Sequence, residues 1–255
     1  MIGRELKRIL VKPAAFVCII VYVSIMMLGV ESDLRAGYET GLLNLFWVTE
    51  NFGVTVFIQT LLFPIAAAGN YFDERKGHYD WLMQMRSGRF RYCMAKIVSA
   101  VVGGVVLYLI SVLLFFALCL ILVPGVRNGS TVESITHLFA STECYWYRVA
   151  SAIGYYPMMI LFAFQYSLHI GIYVLIGLCI SVFCTNRYVF YAMPFLLTRV
   201  GSYIGGIFAL ETYITYGREL SVDGGWIVCI SRNLIAYAVL GFIYYREMKW
   251  RSLNG

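Results

Sequence analysis

The feature that most constrains the fold of this chain is a series of long apolar stretches. A helix needs about 20 mostly apolar residues to cross the hydrocarbon core of a bilayer. Six stretches approach or exceed that length, at about 14–30, 52–71, 93–123, 155–183, 188–209 and 226–245. Only 13% of the 255 residues are charged, whereas an average soluble domain has about 25%. The sequence therefore predicts an all-α membrane protein, with six transmembrane helices in a single domain over residues 1–255.

The distribution of basic residues predicts how these spans are oriented. Lys and Arg are enriched in the cytoplasmic loops of membrane proteins. With the N-terminus in the cytoplasm, 14 of the 20 basic residues fall in inner segments and 4 in outer loops, while Arg199 and Arg232 lie within spans. Acidic residues such as Glu50 then fall on the outer side. Both termini are therefore predicted to be cytoplasmic. The basic residues are expected to face the anionic inner leaflet of the lipid bilayer rather than nucleic acid.

Residues 2–12 form a short basic segment before the first predicted span. Ile2, Leu6, Ile9 and Leu10 recur at helical spacing, and charged residues occupy the rest of the helix surface. This pattern is typical of an amphipathic helix that lies in the membrane interface. A simple basic N-terminal anchor is the alternative.

The longest predicted cytoplasmic segment, Asp73 to Lys96, has an unusual composition for a loop. Charged residues stand at both ends, and Gly77 and the Ser87-Gly88 pair are expected to interrupt the helices around it. The centre is apolar and aromatic, with Tyr79, Trp81, Leu82, Met83 and Met85. These side chains predict a short helix parallel to the membrane that contacts another protein, since Met and Trp suit such interfaces. The alternative is that they enter the lipid headgroup region.

This layout resembles the permease subunits of type-2 ATP-binding-cassette (ABC) exporters. The resemblance covers the basic N-terminal helix, the six spans and the segment between the second and third spans. In this segment the family pattern corresponds to Glu74-Arg75-Lys76-Gly77, Trp81-Leu82-Met83, Arg86-Ser87-Gly88-Arg89 and Lys96. His78 stands where the family commonly has a small or hydroxyl residue, and the Pro that often precedes the Ser-Gly-Arg is missing.

The resemblance implies that this segment is the coupling helix that docks on an ABC ATPase subunit. The residues implied in this contact are Asp73, Glu74, Arg75, Lys76, Gly77, Tyr79, Trp81, Leu82, Met83 and Met85. It also implies two ATPase copies, a second permease copy or homologue, a bacterial plasma membrane, and export of an amphiphilic or peptide-like substrate.

A nucleotide site is not expected in this chain. The P-loop requires a Gly-Lys pair followed by Ser or Thr, and the Gly-Lys dipeptide is absent from the sequence. We therefore expect a transport subunit that is not itself an enzyme and binds no cofactor, with ATP held by the partner subunit.

Four polar residues within predicted spans are candidates for a translocation path or for buried polar contacts: Arg199, Gln165, His169 and Arg232. Ionisable groups in a span usually face protein or water. Gln165 and His169 are four residues apart and share one face of the fourth span. The alternative for Arg199 is a buried contact with a polar neighbour in another span, that for Gln165 and His169 is a structural hydrogen bond, and that for Arg232 is snorkelling to the outer surface.

Other functions remain open on the sequence alone. A carrier or channel outside the ABC class, or a membrane scaffold, would also have several spans. An intramembrane enzyme is less favoured, because such enzymes need paired catalytic groups on facing spans and the predicted spans contain one His and no carboxylate well inside them.

Overall fold

The computed structural model describes residues 2–31, 41–52, 54–76, 79–139, 145–204 and 225–254, and over these residues the fold is helical with no β-strand. The helices are α1 (Ile2–Leu10), α2 (Pro13–Gly29), α3 (Leu42–Phe52), α4 (Thr55–Lys76), α5 (Tyr79–Ser87), α6 (Arg89–Leu122), α7 (Pro124–Gly129), α8 (Val132–Phe139), α9 (Tyr145–Ile153), α10 (Tyr155–Phe183), α11 (Arg187–Ile204) and α12 (Gly225–Asn254). The predicted all-α class is confirmed for this part of the chain.

Two helices in the described part are long and apolar enough to cross a membrane, α6 and α10. A third candidate is α1 together with α2, which meet at an angle of 55°. The chain is therefore compatible with a membrane protein. Helix α10 has the bounds predicted for the fourth span. The other predicted spans overlap α4, α11 and α12, and a total of six spans stays a prediction.

Helix α10 lies at the centre of the bundle. It packs against α4, α6, α9, α11 and α12, and 22 of its 29 residues are buried. A helix that is apolar around its whole circumference is expected at such a position. Two glycines allow the neighbouring helices to approach closely. A Cβ atom on Gly104 of α6 would lie 2.5 Å from Val174, and one on Gly177 would lie 2.8 Å from Pro64 of α4.

The predicted amphipathic N-terminal helix is present as α1. Its side chain at Ile9 is buried and packs against Gly103 of α6, where an added Cβ would lie 3.0 Å from Ile9. Pro13 begins α2, because the fixed φ angle of proline suits the first position of a helix. Lys12 before it has an extended backbone, the conformation that a residue preceding proline favours. Part of the apolar face of α1 therefore packs on the bundle.

Helix α3 was not expected between the first two predicted spans. Its residues Leu42, Leu43, Leu45 and Phe46 are buried. The ring of Phe46 makes edge contacts with aromatic rings of α6 and α10. These apolar contacts place α3 inside the bundle and bring Glu50, near its end, among the long helices.

Candidate functional site

The end of the bundle next to α5 holds a group of ion pairs that we call the ionic cluster: Glu5, Arg8, Glu74 and Lys96. The Lys96 ammonium is 2.7 Å from Glu5 Oε2 and 2.7 Å from Glu74 Oε2. Arg8 pairs with the other oxygen of Glu74. Lys96 is only 4% exposed, so its two ion pairs are weakly screened by salt. The cluster joins α1, α4 and α6.

Lys12 adds a polar contact beside the ionic cluster. Its ammonium donates a hydrogen bond to Oδ1 of Asn70 in α4. Burial, and secondly the charge of Arg8, lower the pKa of Lys12. The α1–α2 junction is thereby attached to α4.

Two further side chains attach the end of α4 to the α10–α11 junction. Arg75 donates to the backbone carbonyl of Ser181 at 2.6 Å and also to that of Val182, at the C-terminus of α10. A cation is favourable there because the last carbonyls of a helix have no intrahelical donor and carry a partial negative charge. Asp73 lies 3.6 Å from Arg187, the first residue of α11.

The predicted cytoplasmic segment contains a helix, α5, between α4 and α6. Leu82 is 52% exposed and Met85 is 68% exposed. Met83 instead packs against the buried core. Gly88 separates α5 from α6 with a φ angle of +79°, a conformation that glycine adopts without strain. Helix α5 therefore combines one side chain anchored in the bundle with two exposed apolar side chains.

The ten residues predicted to contact an ATPase fall into three groups. Asp73, Glu74 and Arg75 are bonded within the chain, and Leu82, Met83 and Met85 lie on α5 as described above. Gly77 lies outside the described residues. The side chains of three others are likewise outside the description, although their backbone is helical: Lys76, Tyr79 and Trp81.

Two of the four candidate path residues lie buried on α10. Gln165 and His169 are both buried, and His169 Nε2 is 2.9 Å from the hydroxyl of Tyr173. Arg232 of α12 is close enough to His169 to interact with it electrostatically. Arg199 lies in α11, and its side chain is outside the described residues. The structure thus brings Gln165, His169 and Arg232 to one part of the bundle.

A second polar group lies deeper in the bundle, and we call it the tyrosine cluster: Tyr22, Glu50, Gln59, Tyr108 and Tyr166. Glu50 is 1% exposed. The Tyr22 hydroxyl donates to Glu50 Oε1 at 2.6 Å. The ring of Tyr108 lies 5.8 Å from that of Tyr22 and 5.7 Å from that of Tyr166. The sequence placed Glu50 on the outer side, beside the second predicted span, and that side stays a prediction. The structure adds that the apolar face of α3 carries this side chain into the interior of the bundle.

Within the part of the chain that the structure describes, three polar atoms of the tyrosine cluster make no hydrogen bond. These are Oε2 of Glu50, Nε2 of Gln59 and the hydroxyl of Tyr108, all buried. A buried polar atom without a partner is costly. The tyrosine cluster lies next to His169, because the ring centroids of Tyr166 and His169 are 6.4 Å apart. A polar line therefore runs from Glu50 through Tyr166 to His169 and Tyr173.

The tyrosine cluster was not predicted, although the sequence contains a signal for it. Tyrosine is expected at the ends of spans, where its ring meets the membrane interface. Tyr22, Tyr108 and Tyr166 instead stand well inside apolar stretches. A tyrosine at such a depth needs a polar partner for its hydroxyl, and this requirement indicates a buried polar group.

The chemistry of the described residues offers no metal centre, since no group of three or more His, Cys, Asp and Glu among them is placed to hold an ion. Comparisons of the chain with models of known families, with curated proteins and with solved structures find no significant match.

Proposed function

We propose that this chain is the transmembrane permease subunit of an ABC exporter, driven by ATP hydrolysis on a separate subunit. The observation that supports this best is the way in which the flanking helices α4 and α6 hold α5, which we call the mounting of α5. The helix presents exposed Leu82 and Met85, and the helices on either side of it are joined by the ion pair between Glu74 and Lys96. These two residues are the acidic residue and the lysine that delimit the family's coupling segment.

The mounting suits the transmission of force. Helix α4 packs on α2 and α10, and helix α6 packs on α2 and α10 as well. Because the Glu74–Lys96 pair holds the adjoining ends of α4 and α6 together, a displacement of α5 moves both helices against the central helix. Arg75, bonded to the end of α10, adds a third attachment.

The exposed side chains of α5 suit a protein contact. Apolar side chains on a short exposed helix are stabilised when a partner removes them from water. Met85 is unbranched and flexible, so it adapts to the shape of a partner surface. In the proposed complex, two ATPase subunits each receive one α5 helix, from this chain and from a second permease copy or homologue.

The proposal also includes the topology, the location and the substrate class that the sequence and the family resemblance imply. Helices α4, α11 and α12 are the other membrane spans, both termini are in the cytoplasm of a bacterial plasma membrane, and the substrate is amphiphilic or peptide-like. The polar line from Glu50 to His169 is the proposed path, because polar groups inside a membrane bundle commonly mark substrate pathways.

The side of the membrane on which α5 lies is the first test. A Met85→Cys variant is treated with a membrane-impermeant maleimide in intact cells and in inside-out vesicles, with the unsubstituted chain as the background control. We expect labelling of Cys at position 85 only in the vesicles. Labelling in intact cells would place α5 outside and end the proposal.

The second test is the partner. The tagged chain is purified in mild detergent from its native membrane, and vanadate-sensitive ATP hydrolysis is measured together with identification of P-loop chains by mass spectrometry. We expect an ATPase to co-purify, and to be lost from a Leu82→Asp/Met85→Asp double variant. The matched control is Trp250→Asp, which changes an exposed apolar side chain of α12. Retention of the ATPase by the double variant contradicts the role of α5.

A further inference from the structure

An open groove lies where the start of α1 meets the α5–α6 junction. Its volume is about 640 Å³. The groove is lined by Ile2 from α1, by Arg86 from α5, and by Phe90, Arg91 and Met94 from α6. It therefore combines two guanidinium groups with apolar walls, and it contains side chains from both sides of the Gly88 turn.

The two arginines differ from the neighbouring ionic cluster. Arg86 and Arg91 are exposed, and within the part of the chain that the structure describes neither forms an ion pair with a carboxylate. Nearby, Arg8 and Lys96 each have a carboxylate partner. A guanidinium group binds the oxygens of a phosphate through paired hydrogen bonds. The chemical complement of this pair of arginines is thus a phosphate-type anion.

The apolar walls continue beyond the groove along α6. Phe90 is 61% exposed and Met94 is 41% exposed, and the exposed row continues to Val102, which is 38% exposed, along the same i, i+4 ridge. Met94 and Val102 are eight residues apart, or about 12 Å along the helix. That distance is close to half of the ~30 Å hydrocarbon core, the depth of one leaflet. The row suits an acyl chain whose headgroup is at the arginines.

We propose that this groove binds an anionic phospholipid of the inner leaflet. Its phosphate lies between Arg86 and Arg91, and an acyl chain lies along Phe90, Met94 and the exposed row of α6. The assignment to the inner leaflet rests on the proposed topology, in which α5 is cytoplasmic.

The site has a consequence for α5. Arg86 precedes the Gly88 turn and Arg91 follows it, so one phosphate bound to both arginines limits the angle between α5 and α6. A lipid in the groove therefore fixes the orientation of Leu82 and Met85, the side chains proposed to contact the ATPase. Anionic lipid is in this way a regulator of coupling.

The test uses the purified chain without any ATPase. It is delipidated in mild detergent, and binding of fluorescent phosphatidylglycerol and phosphatidylcholine is compared for the unsubstituted chain, for Arg86→Gln/Arg91→Gln, and for Lys7→Gln/Arg246→Gln. The last variant removes the same charge from two exposed positions outside the groove. We expect phosphatidylglycerol to bind at least about tenfold more tightly than phosphatidylcholine. The preference should be lost in the groove variant and kept in the control, with both variants monodisperse.

Three results overturn the proposal. They are equal binding of the two lipids, an unchanged preference in the groove variant, and full competition by inorganic phosphate, which would assign the site to a soluble anion. Because no ATPase is present, none of these results bears on the proposed exporter function. Conversely, failure to find an ATPase partner leaves the lipid measurement intact.

Discussion

The ionic cluster and the tyrosine cluster are each built around one buried ionisable side chain, Lys96 and Glu50, yet their bonding differs. In the ionic cluster, Lys96 contacts both Glu5 and Glu74, and Arg8 takes the other oxygen of Glu74. In the tyrosine cluster, Glu50 accepts one short hydrogen bond, from Tyr22, and its second oxygen has no partner among the residues that the structure describes.

The difference indicates a division of roles. A fully paired set of charges fixes the relative position of the helices that bear it, and it loses much stability when one member is removed. A cluster with unused hydrogen-bonding capacity contributes less to the stability of the fold, and its free polar atoms are available to bind a substrate during transport. We therefore assign the ionic cluster to the mounting of α5 and the tyrosine cluster to the path.

The largest expected effect is that of Lys96→Met. The substitution leaves Glu5 and Glu74 close together without their shared ammonium, and breaking a buried ion pair in this way costs about 3–5 kcal/mol. The free energy of unfolding is measured by SDS titration in mixed micelles. Lys7→Met, at an exposed position of α1, is the control and should change it by less than about 0.5 kcal/mol. Equal losses in the two variants would remove the structural role of the ionic cluster.

A smaller loss is expected for Tyr22→Phe. The variant keeps the ring, which contacts Phe63 at 5.0 Å, but it removes the hydroxyl that donates to Glu50. We expect a loss of about 1–3 kcal/mol in the same titration, the cost of a buried acceptor without its donor. Tyr156→Phe, at an exposed tyrosine of α10, should be neutral. A neutral Tyr22→Phe would mean that Glu50 does not depend on this bond.

The smallest stability change is expected for Glu50→Gln in the tyrosine cluster. The same exchange at Glu74 in the ionic cluster gives the sharpest contrast between the two clusters. Glu50→Gln keeps an acceptor for Tyr22 and adds donors near the other tyrosines, so the free energy of unfolding should change by less than about 1 kcal/mol. Glu74→Gln removes the charge that Arg8 and Lys96 share, and it should cost at least about 1.5 kcal/mol, the lower value for a charged hydrogen bond.

In the proposed complex with an ATPase, the same pair of variants distinguishes a role in the substrate path from a role in holding α5. Glu50→Gln should lower substrate-stimulated ATP hydrolysis while the partner still co-purifies. If Glu50→Gln proves as destabilising as Glu74→Gln, the tyrosine cluster is a structural element and the assignment of a path to it is wrong.

The sequence predicted those elements that depend on local pattern. The bounds of α10 follow from one uninterrupted apolar stretch, and α1 follows from apolar residues at helical spacing. Helix α5 follows from an apolar centre between Gly77 and Gly88. In each case the information lies within about 30 consecutive residues, and no contact from elsewhere in the chain is needed to see it.

The rest depends on contacts between residues far apart in the sequence. Hydropathy places Glu50 beside a span but does not show that α3 folds inward and carries the side chain to Tyr22, 28 positions away. Arg75 was predicted to contact a partner protein, but it donates hydrogen bonds to carbonyls of α10 more than 100 positions away. A charge pattern shows that a residue needs a partner and does not show which one it finds.

The proposed coupling role is tested most directly by asking whether α5 moves when the proposed ATPase partner binds ATP. Spin labels at Met85→Cys and Trp250→Cys, both exposed positions, report the distance from α5 to α12 in the complex purified with its ATPase. Trapping with ATP and vanadate should shift the distance distribution beyond its resting width, and adding Lys96→Met should reduce that shift. An unchanged distribution in the trapped complex would contradict the proposal that α5 transmits force into the bundle.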